Sequence, residues 1–139
     1  MLVAIDPGKS TGWAAFDAVK ALYACGHTDG DRPVFPWQRG VVETLVIEIP
    51  HTGPSKATVE DLLVLAFRAG LVAGIIGATQ TRTVRPQEWK GSVPKRIHHE
   101  RVKALLWAPE LALLAGHPHD TIDAIGLGLW ALGRMGRGA

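Results

Sequence analysis

Four carboxylates lie at the ends of predicted secondary-structure elements. Asp6 follows the apolar run 2–5, and Glu48 follows the apolar run 45–47. Asp120 and Asp123 are three residues apart at the start of a predicted helix, so they share one face of that helix. Oxygen ligands of this kind favour Mg²⁺ or Mn²⁺ over Zn²⁺. The set therefore predicts a divalent-metal site, of the kind that can activate water for hydrolysis.

Each acid also has a purely structural interpretation. Asp6 opens an Asp-Pro-Gly sequence, which is common in turns. Asp120 and Asp123 would stabilise a helix N-terminus through the helix dipole. Glu48 is harder to explain in this way, because an unpaired acid within Val-Ile-Glu-Ile would be costly if it faced the core. A shared cation accounts for all four positions, since close carboxylates otherwise repel one another.

The elements that must position these acids follow from apolar patterns and turn residues. Strands are predicted at 2–6, 11–17, 20–25, 45–49 and 82–85, and helices at 58–77, 96–107 and 119–133. Thr58 is a suitable N-cap, and Pro109 and Pro118 each suit a first helical position. Strands first, followed by strands alternating with helices, predict an α/β fold with a mixed sheet in one domain, 1–139.

Composition narrows the class of protein. An apolar fraction of 47% excludes a disordered chain. The single cysteine, Cys25, excludes internal disulfides and a cysteine-based zinc site, and it suits a reducing interior. The sequence starts without a basic signal region, so we expect a cytoplasmic protein. The apolar run 62–78 contains Arg68 and is shorter than the roughly 20 residues of a membrane span, which favours a core or dimer helix.

Positive charge is concentrated between residues 82 and 103. This segment contains seven Lys or Arg residues against two Glu, although the whole chain carries a net charge of only +2. A basic segment beside an acidic site fits binding to a phosphate backbone. The alternative is an ordinary solvated helix face.

These motifs resemble those of the RuvC-type Holliday junction resolvases, in the RNase H-like nuclease superfamily. The matching stretches occur in the same order along nearly the whole chain: 5–8 with 11–12, 46–48 and 120–124, and more weakly 84–86, 89–91 and the basic segment from Lys95. The resemblance implies an RNase H-like fold, a five-stranded mixed β-sheet flanked by α-helices. It also implies an endonuclease that resolves four-way DNA junctions by paired symmetric nicks, leaving 5′-phosphate and 3′-hydroxyl ends.

The resemblance assigns roles to particular residues. It makes Asp6, Glu48, Asp120 and Asp123 the catalytic ligands of two Mg²⁺ ions, for which Mn²⁺ would substitute. The expected DNA contacts are Lys90, Lys95, Arg96, His51 and His98. Among these, His51 stands where relatives often carry an aromatic residue that enters the junction centre, although a histidine stacks less extensively on a base.

Two further segments bear on the partner and on the shape of the molecule. Helix 58–77 is apolar on several sides and corresponds to the dimer helix of the family, which predicts a homodimer. The alternative is a helix buried wholly within one chain.

Residues 26–43 look too short and too rich in Pro and Gly for the helix that relatives often carry there, which favours a loop containing Trp37.

Smaller questions and rival functions stay open at this point. Trp89 could stack on a base or pack beneath its loop. His117 and His119 could support the acids, although a role at the helix start is the simpler interpretation. The rival functions are a related nuclease that cuts RNA, as in ribosomal RNA maturation, an actin-like ATPase, and a junction-binding protein without catalysis.

Overall fold

A single five-stranded sheet organises the chain in the computed structural model, which describes residues 1–50 and 57–136. The strands are β1 Leu2–Asp6, β2 Ser10–Phe16, β3 Leu22–Asp29, β4 Thr44–Glu48 and β5 Gln80–Val84. The helices are α1 Val59–Ile76, α2 Pro86–Trp89, α3 Lys95–Ala104, α4 Ala108–Leu114 and α5 His119–Ala131.

The order of the strands brings the ends of β1 and β4 together. The strand order across the sheet is β3-β2-β1-β4-β5. Strand β2 is antiparallel to both of its neighbours, β1 and β3. Strand β4 is parallel to both of its neighbours, β1 and β5. Ile5 pairs with Ile47 across β1 and β4, so Asp6 and Glu48 follow at the same edge of the sheet. The predicted five-stranded mixed sheet with flanking helices is confirmed.

Alternation of side chains along the strands gives the sheet two apolar faces. Val3, Ile5 and Ile47 pack with α1 through Val72 and Ile76. The intervening residues face the other side, where Ala4 and Val46 pack with Leu127 of α5. Because helices cover both faces, the central strands read as continuous apolar runs rather than as alternating ones.

Helix α5 is the central helix of the second face. Every residue from Thr121 to Leu129 is buried, which is typical of a helix enclosed on all sides. Glycines make this close packing feasible: a Cβ at Gly128 would lie 2.1 Å from the ring of Phe16. The acids at the start of α5 are therefore carried by one of the best-packed elements of the protein.

Several boundaries differ from the prediction. Strand β3 continues to Asp29, beyond the predicted end at Cys25, because its polar residues still pair with β2 through backbone hydrogen bonds. The helix predicted to reach residue 107 ends at Ala104, and α4 is a separate helix after a turn. Pro118 precedes α5 as its N-cap, one position earlier than predicted. The prediction for Thr58 is confirmed, since its hydroxyl accepts a hydrogen bond from the Asp61 N–H.

Residues 30–43 form a loop that covers one edge of the α1 face. Trp37 lies 4.9 Å from Trp13 in an edge-to-face contact and stacks on Phe35 at 5.9 Å. Phe35 and Trp37 pack against the apolar cluster beneath α1. In the part of the chain that the structure describes, no helix has the combined length and apolarity that spanning a membrane requires.

Candidate metal centre

Three of the four predicted acids meet at one edge of the sheet. A carboxylate oxygen from each of Asp6, Asp120 and Asp123 lies within 4.8 Å of the others. Asp6 comes from the end of β1, and the other two come from the first turns of α5. Asp123 is the most enclosed of the three, with its side chain only 7% exposed. Helix α5 therefore places its acids against the end of β1, as the sequence pattern predicts.

Gly12 allows α5 to approach β1 this closely. It pairs with Asp6 across the β1–β2 ladder. A Cβ at Gly12 would lie 1.9 Å from the carbonyl oxygen of Asp120 and 2.8 Å from the backbone nitrogen of Thr121. The hydroxyl of Thr121 then donates a hydrogen bond of 3.0 Å to the carbonyl of Gly26 in β3. The start of α5 thus packs directly on β2, because Gly12 has no side chain there, and one buried hydrogen bond holds it to β3.

The cluster is strongly acidic and partly buried. Burial raises the pKa of Asp6 well above its usual value, and the nearby charges of Glu48, Asp123 and Asp120 raise it further, while Lys90 opposes them. Such a group is costly to ionise without a cation. A divalent ion between the carboxylates would remove this cost, and the all-oxygen donor set suits Mg²⁺ or Mn²⁺.

Glu48 lies beside this cluster and has its own partners. Its Oε2 accepts a hydrogen bond of 2.7 Å from the indole N–H of Trp89 and lies 3.2 Å from the Lys90 ammonium. Burial alone would lower the pKa of Lys90, but the carboxylates of Glu48, Asp123 and Asp6 outweigh it and the net pKa is raised. Lys90 is therefore a permanent positive charge at the acidic edge. Trp89, which is buried, both packs in the core and orients Glu48.

Asp123 is held from the other side by α3. Its Oδ1 lies 3.0 Å from Nε2 of His99, and its Oδ2 lies 3.5 Å from the ammonium of Lys95. Lys95 is 62% exposed, so it also reaches solvent. Lys90 and Lys95, for which the resemblance implies DNA contacts, thus lie at the acids themselves.

The remaining predicted DNA contacts fall in different places. Arg96 is 78% exposed and pairs with Glu100 at 2.7 Å. His98 is only 4% exposed, and its ring packs edge-to-face on Trp89 at 4.9 Å. Its position disagrees with the prediction of a DNA contact, because α3 turns this side chain inward to the core. His51 lies outside the described residues.

Helix α3 also forms a basic wall next to the acids. A cavity of about 360 Å³ lies between α3 and the start of α5, with Lys95, Arg96 and Lys103 among its lining residues. His119 lines the same cavity and stacks on His99 at 5.2 Å, whereas His117 contacts His27. His119 is linked to Asp123 through His99 rather than by a hydrogen bond of its own.

Sequence reasoning missed two side chains that hold the acids. The indole N–H of Trp89 binds Glu48, and His99 binds Asp123. A signal for His99 does exist: it lies three residues before Val102 on the buried face of α3. A polar residue on an apolar helix face needs a partner, and this partner is an acid of the candidate site.

Comparisons with known proteins find a likeness in structure alone. No protein-family model and no curated protein sequence matches the chain. Thermus thermophilus RuvC in complex with a Holliday junction substrate is 18% identical, with 97% of this chain and 95% of that chain covered and a TM-score of 0.58. A second Thermus thermophilus RuvC structure is also 18% identical, with 96% of each chain covered and a TM-score of 0.51. The likeness is one of fold: the chain has the RNase H-like fold of RuvC, as predicted.

Proposed function

We propose that this protein is a Mg²⁺-dependent endonuclease that resolves four-way DNA junctions as a homodimer. The observation that carries the proposal is the convergence of Asp6, Asp120 and Asp123 within 4.8 Å on the fold of RuvC. Fold alone does not define an activity, but a fold together with its acids at one sheet edge supports a specific one.

The donor set defines the chemistry at this edge. Asp6, Asp120 and Asp123, with Glu48 beside them, offer carboxylate oxygens suited to two Mg²⁺ ions, and Mn²⁺ would substitute. When bound, such ions supply an activated water and stabilise the leaving oxygen of an in-line displacement, which gives 5′-phosphate and 3′-hydroxyl ends. The protein contributes the rigid placement of its acids, through a strand end and a buried helix.

Basic side chains near the acids would bind the DNA backbone. Lys95 and Arg96 are both mainly exposed on the wall of α3, and Lys90 flanks Glu48 on the other side. Positive charge on both sides of the acids would draw phosphates across the site. His51 stays a predicted contact at the junction centre.

Helix α1 offers the surface for a second copy of the chain. Val59, Leu63 and Phe67 are 74%, 65% and 73% exposed, although soluble proteins rarely leave such large apolar side chains clustered on one helix. An apolar groove of about 540 Å³ lies between α1 and strands β4 and β5, with Val59 and Leu63 among its lining residues. A two-fold dimer through α1 would cover this surface and present two metal centres, one for each symmetric nick.

The decisive experiment is cleavage of a labelled four-way junction and of a matched linear duplex. Each substrate is incubated with Mg²⁺, with EDTA, and with the Asp6→Asn variant. Asp29→Asn is the matched control, because it makes the same chemical change at an acid that is 70% exposed and outside the cluster. We expect paired nicks in the junction alone, lost in EDTA and in Asp6→Asn but retained in Asp29→Asn.

Other outcomes would each point elsewhere. Tight binding to the junction without cleavage, in Mg²⁺ and in Mn²⁺, would indicate a binding protein. Equal activity on junction and duplex, or cleavage of structured RNA alone, would favour a related nuclease with a different substrate. Retention of full activity in Asp6→Asn would contradict the metal centre itself.

A reducing cytoplasm, where chromosomal or phage DNA recombines, is the location that suits this activity.

A further inference from the structure

His99 makes a buried hydrogen bond to an acid of the candidate metal centre. Nε2 of His99 lies 3.0 Å from Oδ1 of Asp123, and the two side chains are only 8% and 7% exposed. Water cannot easily replace either partner at that depth, so the bond is strong and directional. A contact of this kind restricts the rotation of the carboxylate.

The second nitrogen of His99 also has a partner. Nδ1 of His99 lies 3.3 Å from Nδ1 of His119, and the two rings stack at 5.2 Å. A neutral imidazole has one donor and one acceptor nitrogen. When Nε2 donates to Asp123, Nδ1 accepts from His119. Both nitrogens are then satisfied, and the ring has one preferred orientation.

The backbone that carries this contact is rigid. His99 lies on α3 and Asp123 on α5, and the two helices approach closely where Gly126 faces Val102. A Cβ at Gly126 would lie 2.8 Å from Cγ2 of Val102. The spacing between the helices is therefore set by packing, and the hydrogen bond is made between two fixed supports.

We propose that His99 is a positioning residue: by occupying Oδ1 of Asp123, it fixes the plane of that carboxylate and directs Oδ2 toward a divalent cation shared with Asp6 and Asp120. Such a cation would displace the exposed Lys95 ammonium that lies 3.5 Å from Oδ2. The inference rests on the proposed function, because it assigns His99 a role toward the metal. Partners that hydrogen-bond to a ligating carboxylate typically influence metal affinity roughly ten- to hundredfold. A buried histidine that only fills space between α3 and α5 would have no such influence.

The test compares variants at position 99 whose side chains differ in length. His99→Gln carries its amide about as far from the backbone as Nε2 does, so it can still donate to Asp123. His99→Asn carries the same amide one methylene shorter and loses that contact. Leu106→Ala is the control for packing, because it removes buried volume from the same core cluster, just beyond the end of α3, without touching an acid. Each protein is titrated with Mn²⁺ in the absence of DNA, with free Mn²⁺ followed by electron paramagnetic resonance, and its thermal unfolding is measured in EDTA.

We expect His99→Asn to weaken Mn²⁺ binding roughly tenfold or more, and His99→Gln to stay within about threefold of the parent protein. Leu106→Ala should unfold at a lower temperature and bind Mn²⁺ as the parent does. Equal Mn²⁺ affinity in the parent and in His99→Asn would overturn the positioning role and leave the metal centre standing. Equal weakening in all three variants would also overturn it, since general loosening of α3 would then be the cause. A parent protein that binds no Mn²⁺ would instead refute the proposed function, and with it this role.

Discussion

Substitution of Gly12 by alanine tests whether the metal centre depends on the close approach of α5 to β2. The added Cβ would lie 1.9 Å from the carbonyl oxygen of Asp120 and 2.3 Å from its carbonyl carbon. Both are backbone atoms, so neither can rotate away. A tolerable contact of about 3 Å requires the strand and the helix to separate by about 1 Å, and the separation occurs directly between Asp6 and Asp120.

The magnitude follows from that displacement. A misplacement of about 1 Å at a catalytic group costs about 10²-fold in rate, which corresponds to about 2.7 kcal/mol of transition-state stabilisation. Overpacking of the interior should lower the free energy of unfolding by about 1–3 kcal/mol. We therefore expect Gly12→Ala to fold, to nick the junction about 10²-fold more slowly, and to bind Mn²⁺ more weakly.

The control is Gly26→Ala in the neighbouring strand. A Cβ there would lie 2.7 Å from the ring of Trp13, which is a side chain that can shift. Junction nicking, Mn²⁺ titration and urea denaturation are measured on both variants. Gly26→Ala should lose stability while it keeps most of its activity. If Gly12→Ala matches Gly26→Ala in all three assays, the close approach of α5 does not build the site and the reasoning is refuted.

Three further substitutions or treatments test other parts of the structure. Glu110 is 2% exposed and accepts two hydrogen bonds from Arg134, so Glu110→Ala should lower the free energy of unfolding by about 3–5 kcal/mol in urea denaturation. Burial alone would raise the pKa of Glu110, but hydrogen bonds from Arg134 and two backbone N–H groups outweigh it and the net pKa is lowered. The stability from Glu110 is therefore present above its unfolded pKa and is lost as the pH falls through the lowered value, so the parent and variant should converge in acid. Burial raises the pKa of Cys25 to about 11, so about one thiol in a thousand is ionised at pH 8 and a disulfide reagent should label the native protein far more slowly than the unfolded one. Phe67 is 73% exposed on α1, so Phe67→Asp should convert the proposed dimer to monomers in sedimentation while leaving the unfolding of the monomer nearly unchanged. A dimer that persists in Phe67→Asp would place the interface elsewhere.

The fold could be predicted because its strands and helices carry local patterns. Strand β4 is a continuous apolar run, and α1 opens with a Thr58 cap, so both appear within one or two residues of their predicted bounds. Strand β3 could not be bounded in the same way, because its last residues are polar and are held by backbone pairing with β2. Pairing of that kind leaves no periodic signal in the chain.

The candidate site shows the same difference between residues that local sequence patterns reveal and residues that tertiary packing brings into place. Asp6 and Asp123 can be found from sequence because each ends or begins a regular element, and the sheet order then brings those ends together. The residues that hold them cannot be found in this way, since the bond from His99 depends on how α3 lies against α5. His98 and His99 illustrate the limit: adjacent in a basic segment, they look equivalent, yet one packs on Trp89 and the other binds an acid. A rotation of α3 by one residue would exchange their roles, and only tertiary packing fixes that rotation. Sequence thus locates the acids of the candidate metal centre, whereas packing decides which neighbours orient them.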